Sequence, residues 1–157
     1  MSKGNFPSKT KLISSVAGEE LAQGEVDQNF LRIGDALRVD CPASDKEALV
    51  DAISSFRLAQ RSLIRQPILL DFGGLSKQEL DQQSDPVSIV SEHWANLEID
   101  GFILPGMISL ECLTKIRDSF AKFDYFPWIF VRIDSEQAVA RLDLLLSSVE
   151  GVIISRL

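Results

Sequence analysis

Short runs of apolar residues alternate along the chain with longer segments in which apolar positions recur every three or four residues. The short runs have the length and composition of β-strands, and the longer segments have the spacing of amphipathic helices. This pattern is typical of parallel βα units joined by right-handed crossovers. The six predicted strands are residues 11–15, 36–40, 67–71, 101–104, 128–133 and 151–154.

The segments between the predicted strands carry helix signals. Residues 24–33 have an apolar stripe, Ser44 opens a capping box before a long helix, and Ser109 is placed to cap another. After the fifth strand, Asp134 or Ser135 is expected to cap the last helix. The apolar side chains predicted on these helices are Val26, Phe30, Ile33, Leu49, Ile53, Phe56, Leu63, Val87, Val90, Trp94, Leu97, Leu110, Leu113, Ile116, Phe120, Val139, Leu142, Leu145 and Leu146.

The number of βα units defines the expected fold class. Six units are fewer than the eight that close a barrel of the TIM type. We therefore expect residues 1–157 to form one α/β domain, either a partial barrel of about six strands or an open three-layer sheet. A chain of this length can bury enough surface for one hydrophobic core.

Composition narrows the range of partners. The formal net charge of −7 argues against nucleic acid, because phosphate binding requires a positive surface. No apolar run is long enough to span a bilayer, so membrane insertion is not expected. Cys41 and Cys112 have neither a zinc-site spacing nor a disulfide framework. We interpret them as reduced thiols and expect a cytoplasmic protein.

Charged residues stand at the carboxyl ends of four predicted strands, where βα folds place their active sites. They are Arg38, Asp40, Asp71, Arg132, Asp134 and Arg156. Acidic and basic side chains on one rim could hold a metal ion and an anionic substrate. A competing interpretation is that the aspartates only cap the turns and helices that follow the strands.

Six segments of the chain resemble motifs of the pyruvate kinase family, in the same order and with similar spacing. Residues 36–43 resemble the family's A-R-x-N-x-S-H segment, residues 68–74 resemble A-L-D-x-x-G-P, and residues 151–156 resemble G-I-M-V-A-R. The resemblance extends over nearly the whole chain. The six segments are residues 9–17, 36–43, 68–74, 75–79, 128–138 and 151–156.

The resemblance implies a barrel enzyme that transfers the phosphoryl group of phosphoenolpyruvate to ADP. Such enzymes hold magnesium with a Glu and an Asp, hold potassium near an Asn and an Asp, and place a Lys beside the phosphoryl group. By position, Arg38 and Arg156 correspond to substrate-binding and phosphate-binding residues, and Asp71 corresponds to the potassium-binding Asp. Arg132 occupies the position of the catalytic Lys, and Asp134 that of the magnesium Glu.

The departures from the family pattern indicate lost chemistry. Asp40 replaces the Asn, and the Lys-to-Arg change at Arg132 is not conservative, because a guanidinium is planar and bulkier than an ammonium. Asp134 is one methylene shorter than Glu. The family's second metal carboxylate, its lid domain after Gly74, its last two barrel strands and its C-terminal domain are expected to be missing from this chain.

The leading hypothesis is a pseudoenzyme that acts by binding a protein partner or a small phosphorylated or carboxylate ligand. It would require no cofactor, with magnesium and potassium bound only if the family site survives. An active kinase or metal-dependent lyase or aldolase of the same barrel class is an alternative, as is a structural subunit that completes a barrel in an assembly. The apolar edge strands near Leu12 and at residues 151–154 indicate a homodimer or a larger protein assembly.

Overall fold

A curled parallel sheet forms the centre of the molecule. The computed structural model describes residues 12–24, 26–27, 34–41, 46–60, 65–73 and 92–155, and the architecture refers to these residues. Every pair of neighbouring strands is parallel, and the strand order is the order along the chain. The strands are β1 (Ile13–Ala17), β2 (Ala36–Asp40), β3 (Ile68–Asp71), β4 (Gly101–Pro105), β5 (Trp128–Ile133) and β6 (Gly151–Ile154).

This strand order decides between the two predicted architectures. Right-handed crossovers between strands in sequential order place all the connecting helices on one face of the sheet. A three-layer sheet would instead need a reversal of the strand order, which would place helices on both faces. The sheet is therefore a partial barrel, with the described helices on its outer, convex face.

The helices within the described residues connect successive strands. Ser109 caps α4, because its hydroxyl accepts a hydrogen bond from the Cys112 N–H at 3.1 Å. Ser135 caps α5 in the same way through the Ala138 N–H at 3.2 Å, so Ser135 rather than Asp134 is the cap. The helices are α1 (Gly18–Gln23), α2 (Lys46–Gln60), α3 (Glu92–Asn96), α4 (Leu110–Ala121), α5 (Glu136–Ala140) and α6 (Leu142–Leu146).

The hydrophobic core lies between the convex face of the sheet and the helices. Phe102 of β4 and Phe120 of α4 pack with ring centroids 4.9 Å apart, and Tyr125 meets Phe120 edge-on. Burial of each large apolar side chain stabilises the fold by about 1.5–3 kcal/mol. The core includes Leu37, Val39, Leu49, Ile53, Phe56, Ile68, Leu70, Trp94, Phe102, Leu104, Leu113, Ile116, Phe120, Ile129, Val131 and Leu145.

One arginine joins two loops at the amino-terminal edge of the sheet. Arg57 of α2 donates hydrogen bonds to the carbonyl oxygens of Gln66 (2.8 Å), Leu97 (3.3 Å) and Glu98 (2.7 Å). Its Nη2 also lies 2.7 Å from Asp100 Oδ2. The same carboxylate accepts the backbone N–H of β3's first residue. This network fixes the entries to β3 and β4 relative to α2.

The beginning of the chain differs from the prediction. The first strand is Ile13–Ala17 rather than residues 11–15, and a helix that the sequence did not predict, Gly18–Gln23, follows it. Gly24 ends this helix instead of beginning one, because its φ of +70° is the left-handed conformation typical of a residue after a helix. Most of the helix predicted over residues 24–33 lies outside the described residues. Residues 28–33, including Phe30 and Ile33, lie outside the described part of the chain.

Three side chains predicted on buried helix stripes are exposed: Leu110 (41%), Val139 (48%) and Leu146 (48%). Leu110 is the first residue of α4. The last helical region is divided into two short helices at Arg141, which donates hydrogen bonds to the carbonyl oxygens of Met107 and Ile108, and this break ends the single apolar stripe expected from the sequence. The predicted helix features at Ser44, Leu63, Val87 and Val90 lie outside the described residues.

The concave face of the sheet is lined by the strand residues that do not face the helices. Leu69 and Ile103 are buried there, whereas Phe130 and Ile153 are only half-buried. A Cβ at Gly151 would come within 3.1 Å of the Phe130 ring, so Gly151 provides the space in which this ring lies. Among the described residues, no helix is long and apolar enough to cross a membrane.

Candidate functional site

Three strands contribute charged side chains to one cluster on the concave face. Arg38 comes from β2, Asp71 from β3 and Arg132 from β5. Nε of Arg38 lies 2.5 Å from Asp71 Oδ2, and Nη2 of Arg132 donates a hydrogen bond to the same oxygen. The cluster is at the carboxyl ends of the strands, the edge where the sequence predicts a site.

The stagger of the strands brings these residues to one level. Across the sheet, Arg38 is aligned with Leu69, Leu69 with Gly101, and Gly101 with Trp128. Arg132 is four residues beyond Trp128 on β5, so the cluster drifts by about one residue per strand across the sheet. Barrels with tilted strands have this stagger.

Asp71 is the centre of the cluster. Its side chain is only 1% exposed, and its Oδ1 accepts the backbone N–H of Gly73 at 2.7 Å. Its Oδ2 faces both guanidinium groups. Desolvation of a carboxylate to this extent would be costly without such partners, so the two arginines and the Gly73 amide are what allow Asp71 to be buried in its charged form.

Gly73 also determines the space around Arg132. A Cβ at Gly73 would lie 2.6 Å from Arg132 Nε and 2.8 Å from Asp71 Oδ1. Arg132 Nε is buried and has no hydrogen-bond partner within the described residues. Any larger residue at this position would displace the guanidinium or the carboxylate from the arrangement seen here.

Arg38 has a second carboxylate partner in Asp40, whose Oδ1 lies 2.6 Å from Arg38 Nη2. Burial opposes the charge of Arg38, but the carboxylates of Asp71 and Asp40 outweigh it and raise the pKa of the guanidinium. The Nε–H of Arg38 does not point at Asp71 Oδ2 despite the short separation, so this contact is an ion pair without hydrogen-bond geometry. Arg38 is therefore fixed in its charged form at every accessible pH.

The positive charge of the cluster is least compensated at Arg132. Asp40 pairs with Arg38 only, at 2.6 Å, so the formal charges of Arg38, Arg132, Asp71 and Asp40 sum to zero. Arg132, however, has no carboxylate of its own, because it shares Asp71 with Arg38. The side chains of Arg38 and Arg132 are 26% and 16% exposed. Chemically, the cluster is suited to bind an anion approaching from the concave face.

The cations implied by the resemblance do not fit the described residues. A cation beside Asp71 would lie next to two guanidinium groups and would have to displace them from its oxygens. Asp134, the expected magnesium ligand, is exposed and lies beyond the end of β5. In the described part of the chain, no group of three or more His, Cys, Asp or Glu side chains could hold a metal ion.

The structure brings together four of the six residues selected from the sequence: Arg38, Asp40, Asp71 and Arg132. Asp134 does not belong to the ion-pair cluster, and Arg156 lies outside the described residues. Sequence reasoning missed the role of Gly73. The signal was available, because a glycine two residues after the last residue of a buried strand places a backbone amide within reach of that residue's side chain.

Comparison with known proteins adds no assignment: no protein-family model matches the chain, and no curated protein shows significant similarity to it. The similarity of the six motifs to pyruvate kinase therefore stays a prediction.

Proposed function

We propose that the chain is a catalytically degenerate pyruvate kinase-like domain that binds a small phosphorylated or carboxylate ligand and does not transfer phosphoryl groups. One observation carries this proposal: the carboxylate at the family's potassium-binding position is held inside the protein by Arg38, Arg132 and the Gly73 amide. Two arginines thus occupy the space around Asp71 that cations would need.

The two arginines around Asp71 affect catalysis because phosphoryl transfer requires charge neutralisation by cations. Phosphoryl transfer depends on positioned cations that stabilise charge on the transferred group and the leaving oxygen. Guanidinium groups engaged by Asp71 can bind an oxyanion, but they cannot replace a metal ion that bridges two phosphates. The lyase alternative meets the same difficulty, because it also needs a metal ion held by several oxygen ligands. Binding without turnover is the function most compatible with this arrangement.

A paired assay tests the proposal. With phosphoenolpyruvate, ADP, magnesium and potassium, a coupled assay should remain at background. Calorimetry with phosphate, acetate and pyruvate should detect binding of at least one anion to the native chain and none to Arg132→Met. Matched exposed variants such as Lys115→Met, away from the cluster, should leave binding unchanged. Turnover at about 1 per second, lost in Arg132→Ala, would show an active kinase instead.

We further propose that the domain associates through the exposed edge at β6. Ile154 is 79% exposed on the last strand of the sheet, and Leu12 and Ile13 are 61% and 50% exposed at the opposite edge. Apolar side chains on unpaired edges favour association, and a second copy of the chain is the commonest partner.

The association proposal predicts a dimer that a single charge disrupts. Light scattering should give twice the monomer mass at about 100 µM protein, and Ile154→Lys should give the monomer mass with an unchanged circular dichroism spectrum. Leu144→Lys provides a matched control, because Leu144 is also exposed (58%) but lies on α6. A native chain that is monomeric at this concentration would exclude the β6 edge as a dimer interface.

A further inference from the structure

Apolar side chains lie directly beside the arginine cluster on the same concave face. Ile153 is the Cα partner of Arg132, so the two residues are neighbours across β5 and β6. Phe130 precedes Arg132 by two residues and therefore faces the same side, and Ile103 is the Cα partner of Phe130. A row of apolar side chains thus extends from the guanidinium of Arg132 along the inner wall of the partial barrel.

This row is not covered by the helices of the described chain. The core cluster that contacts the helices contains the alternate residues of the same strands, such as Ile129 and Val131. On the concave face, Ile103 is fully buried and forms a floor, whereas Phe130 and Ile153 are half-buried and partly open to solvent. An apolar group lying on Phe130 and Ile153 would remove that surface from water.

The charges of the cluster determine which anionic group a ligand bound there would carry. Arg132 shares Asp71 with Arg38 and has no carboxylate of its own, whereas Arg38 also pairs with Asp40. One monoanion beside Arg132 completes its pairing, whereas a phosphate dianion would leave excess negative charge next to the buried Asp71. A planar carboxylate also matches the geometry of a guanidinium.

From these observations we propose that the ligand is a monocarboxylate with an alkyl chain. Its carboxylate binds Arg132 and Arg38, and its chain lies across Phe130 and Ile153. The inference rests on the proposed anion-binding function and specifies the ligand class of that site.

A homologous series tests the inference with the native chain. Calorimetric titration with acetate, butyrate, hexanoate and octanoate should show the dissociation constant falling about fourfold for each two methylenes added, since the chain is covered on one side and gains about half the free energy of full burial. Hexyl phosphate should bind more weakly than hexanoate. Hexanol, which has the same alkyl chain but no charge, should bind at least tenfold more weakly than hexanoate, because it cannot form a charge-assisted hydrogen bond with the guanidinium groups.

Variants separate the chain from the head group. Phe130→Ala and Ile153→Ser should each reduce octanoate affinity while leaving acetate affinity unchanged. Both variants are made so that a folding defect in one of them does not decide the result. Leu144 is an exposed apolar residue on α6, so Leu144→Ser is the matched control and should change neither octanoate affinity nor acetate affinity. Arg132→Met should abolish binding of the whole series.

The outcomes distinguish the two proposals. Equal affinity for acetate and octanoate, with both lost in Arg132→Met, would overturn the alkyl-chain inference and leave the anion-binding function intact. Hexyl phosphate binding more tightly than hexanoate would also overturn the inference, in favour of a phosphorylated ligand. Octanoate binding that is unchanged in Arg132→Met would overturn both, because the charged cluster would then play no part.

Discussion

Replacing Asp71 with asparagine is expected to lower the free energy of unfolding by about 3 kcal/mol. The substitution is nearly isosteric, and the amide oxygen can still accept the Gly73 N–H. The loss comes from the charge: Arg38 and Arg132 would remain largely buried with no carboxylate between them. Chemical denaturation followed by circular dichroism measures the change.

Three control variants identify the cause of the lost stability. Arg132→Met leaves Asp71 paired with Arg38, so it should destabilise the protein less than Asp71→Asn. The double variant Asp71→Leu, Arg132→Met should recover part of the lost stability, because it removes a buried charge together with one of its partners. Glu111→Gln, which breaks the solvent-exposed ion pair with Lys115, should have little effect on the free energy of unfolding. A small effect of Asp71→Asn would mean that water reaches the arginines and compensates them.

Replacing Arg57 with methionine is expected to cost about 3 kcal/mol of unfolding free energy. Methionine preserves most of the side-chain volume, so packing changes little. The substitution removes the side-chain donor to the carbonyl groups of Gln66 and Leu97 and leaves Asp100 without its nearest cation. The Glu98 carbonyl keeps a second donor in Arg65. Unsatisfied groups at the entries of β3 and β4 account for the cost.

Arg65 provides the matched comparison for Arg57. Like Arg57, it pairs with Asp100 and donates a hydrogen bond to the Glu98 carbonyl oxygen, and it also pairs with the Glu98 carboxylate. Its side chain is 50% exposed against 13% for Arg57. Arg65→Met should therefore cost less than about 1 kcal/mol. Similar losses for the two variants would show that the carboxylates, rather than the carbonyl groups of Gln66 and Leu97 that Arg57 contacts, determine the stability of this edge.

The sequence predicts the strands well because buried parallel strands are continuous apolar runs. β2, β5 and β6 have the predicted bounds, and β3 and β4 differ by one residue. The exception is the first unit, where β1 is shifted and its helix begins at Gly18. That helix contains two buried residues, Gly18 and Leu21, so it has too few apolar positions to give a periodic signal.

The candidate site was only partly predictable. Strand-end charges at Arg38, Asp71 and Arg132 follow from the position of each residue in its strand. The sharing of Asp71 between both arginines depends on the stagger across β4, a property of the sheet that no local pattern encodes. The space at Gly73 depends on the same three-dimensional arrangement.

The sequential strand order also affects how the chain can fold as the ribosome releases it. Each strand pairs with the next one along the chain, over separations that range from 21 residues (Phe130 to Gly151) to 32 (Leu69 to Gly101). Within the six described strands, no pairing requires the last strand to meet the first. Each new βα unit can therefore dock on the preceding one as soon as it emerges, and an incomplete nascent chain always presents one edge for the next strand.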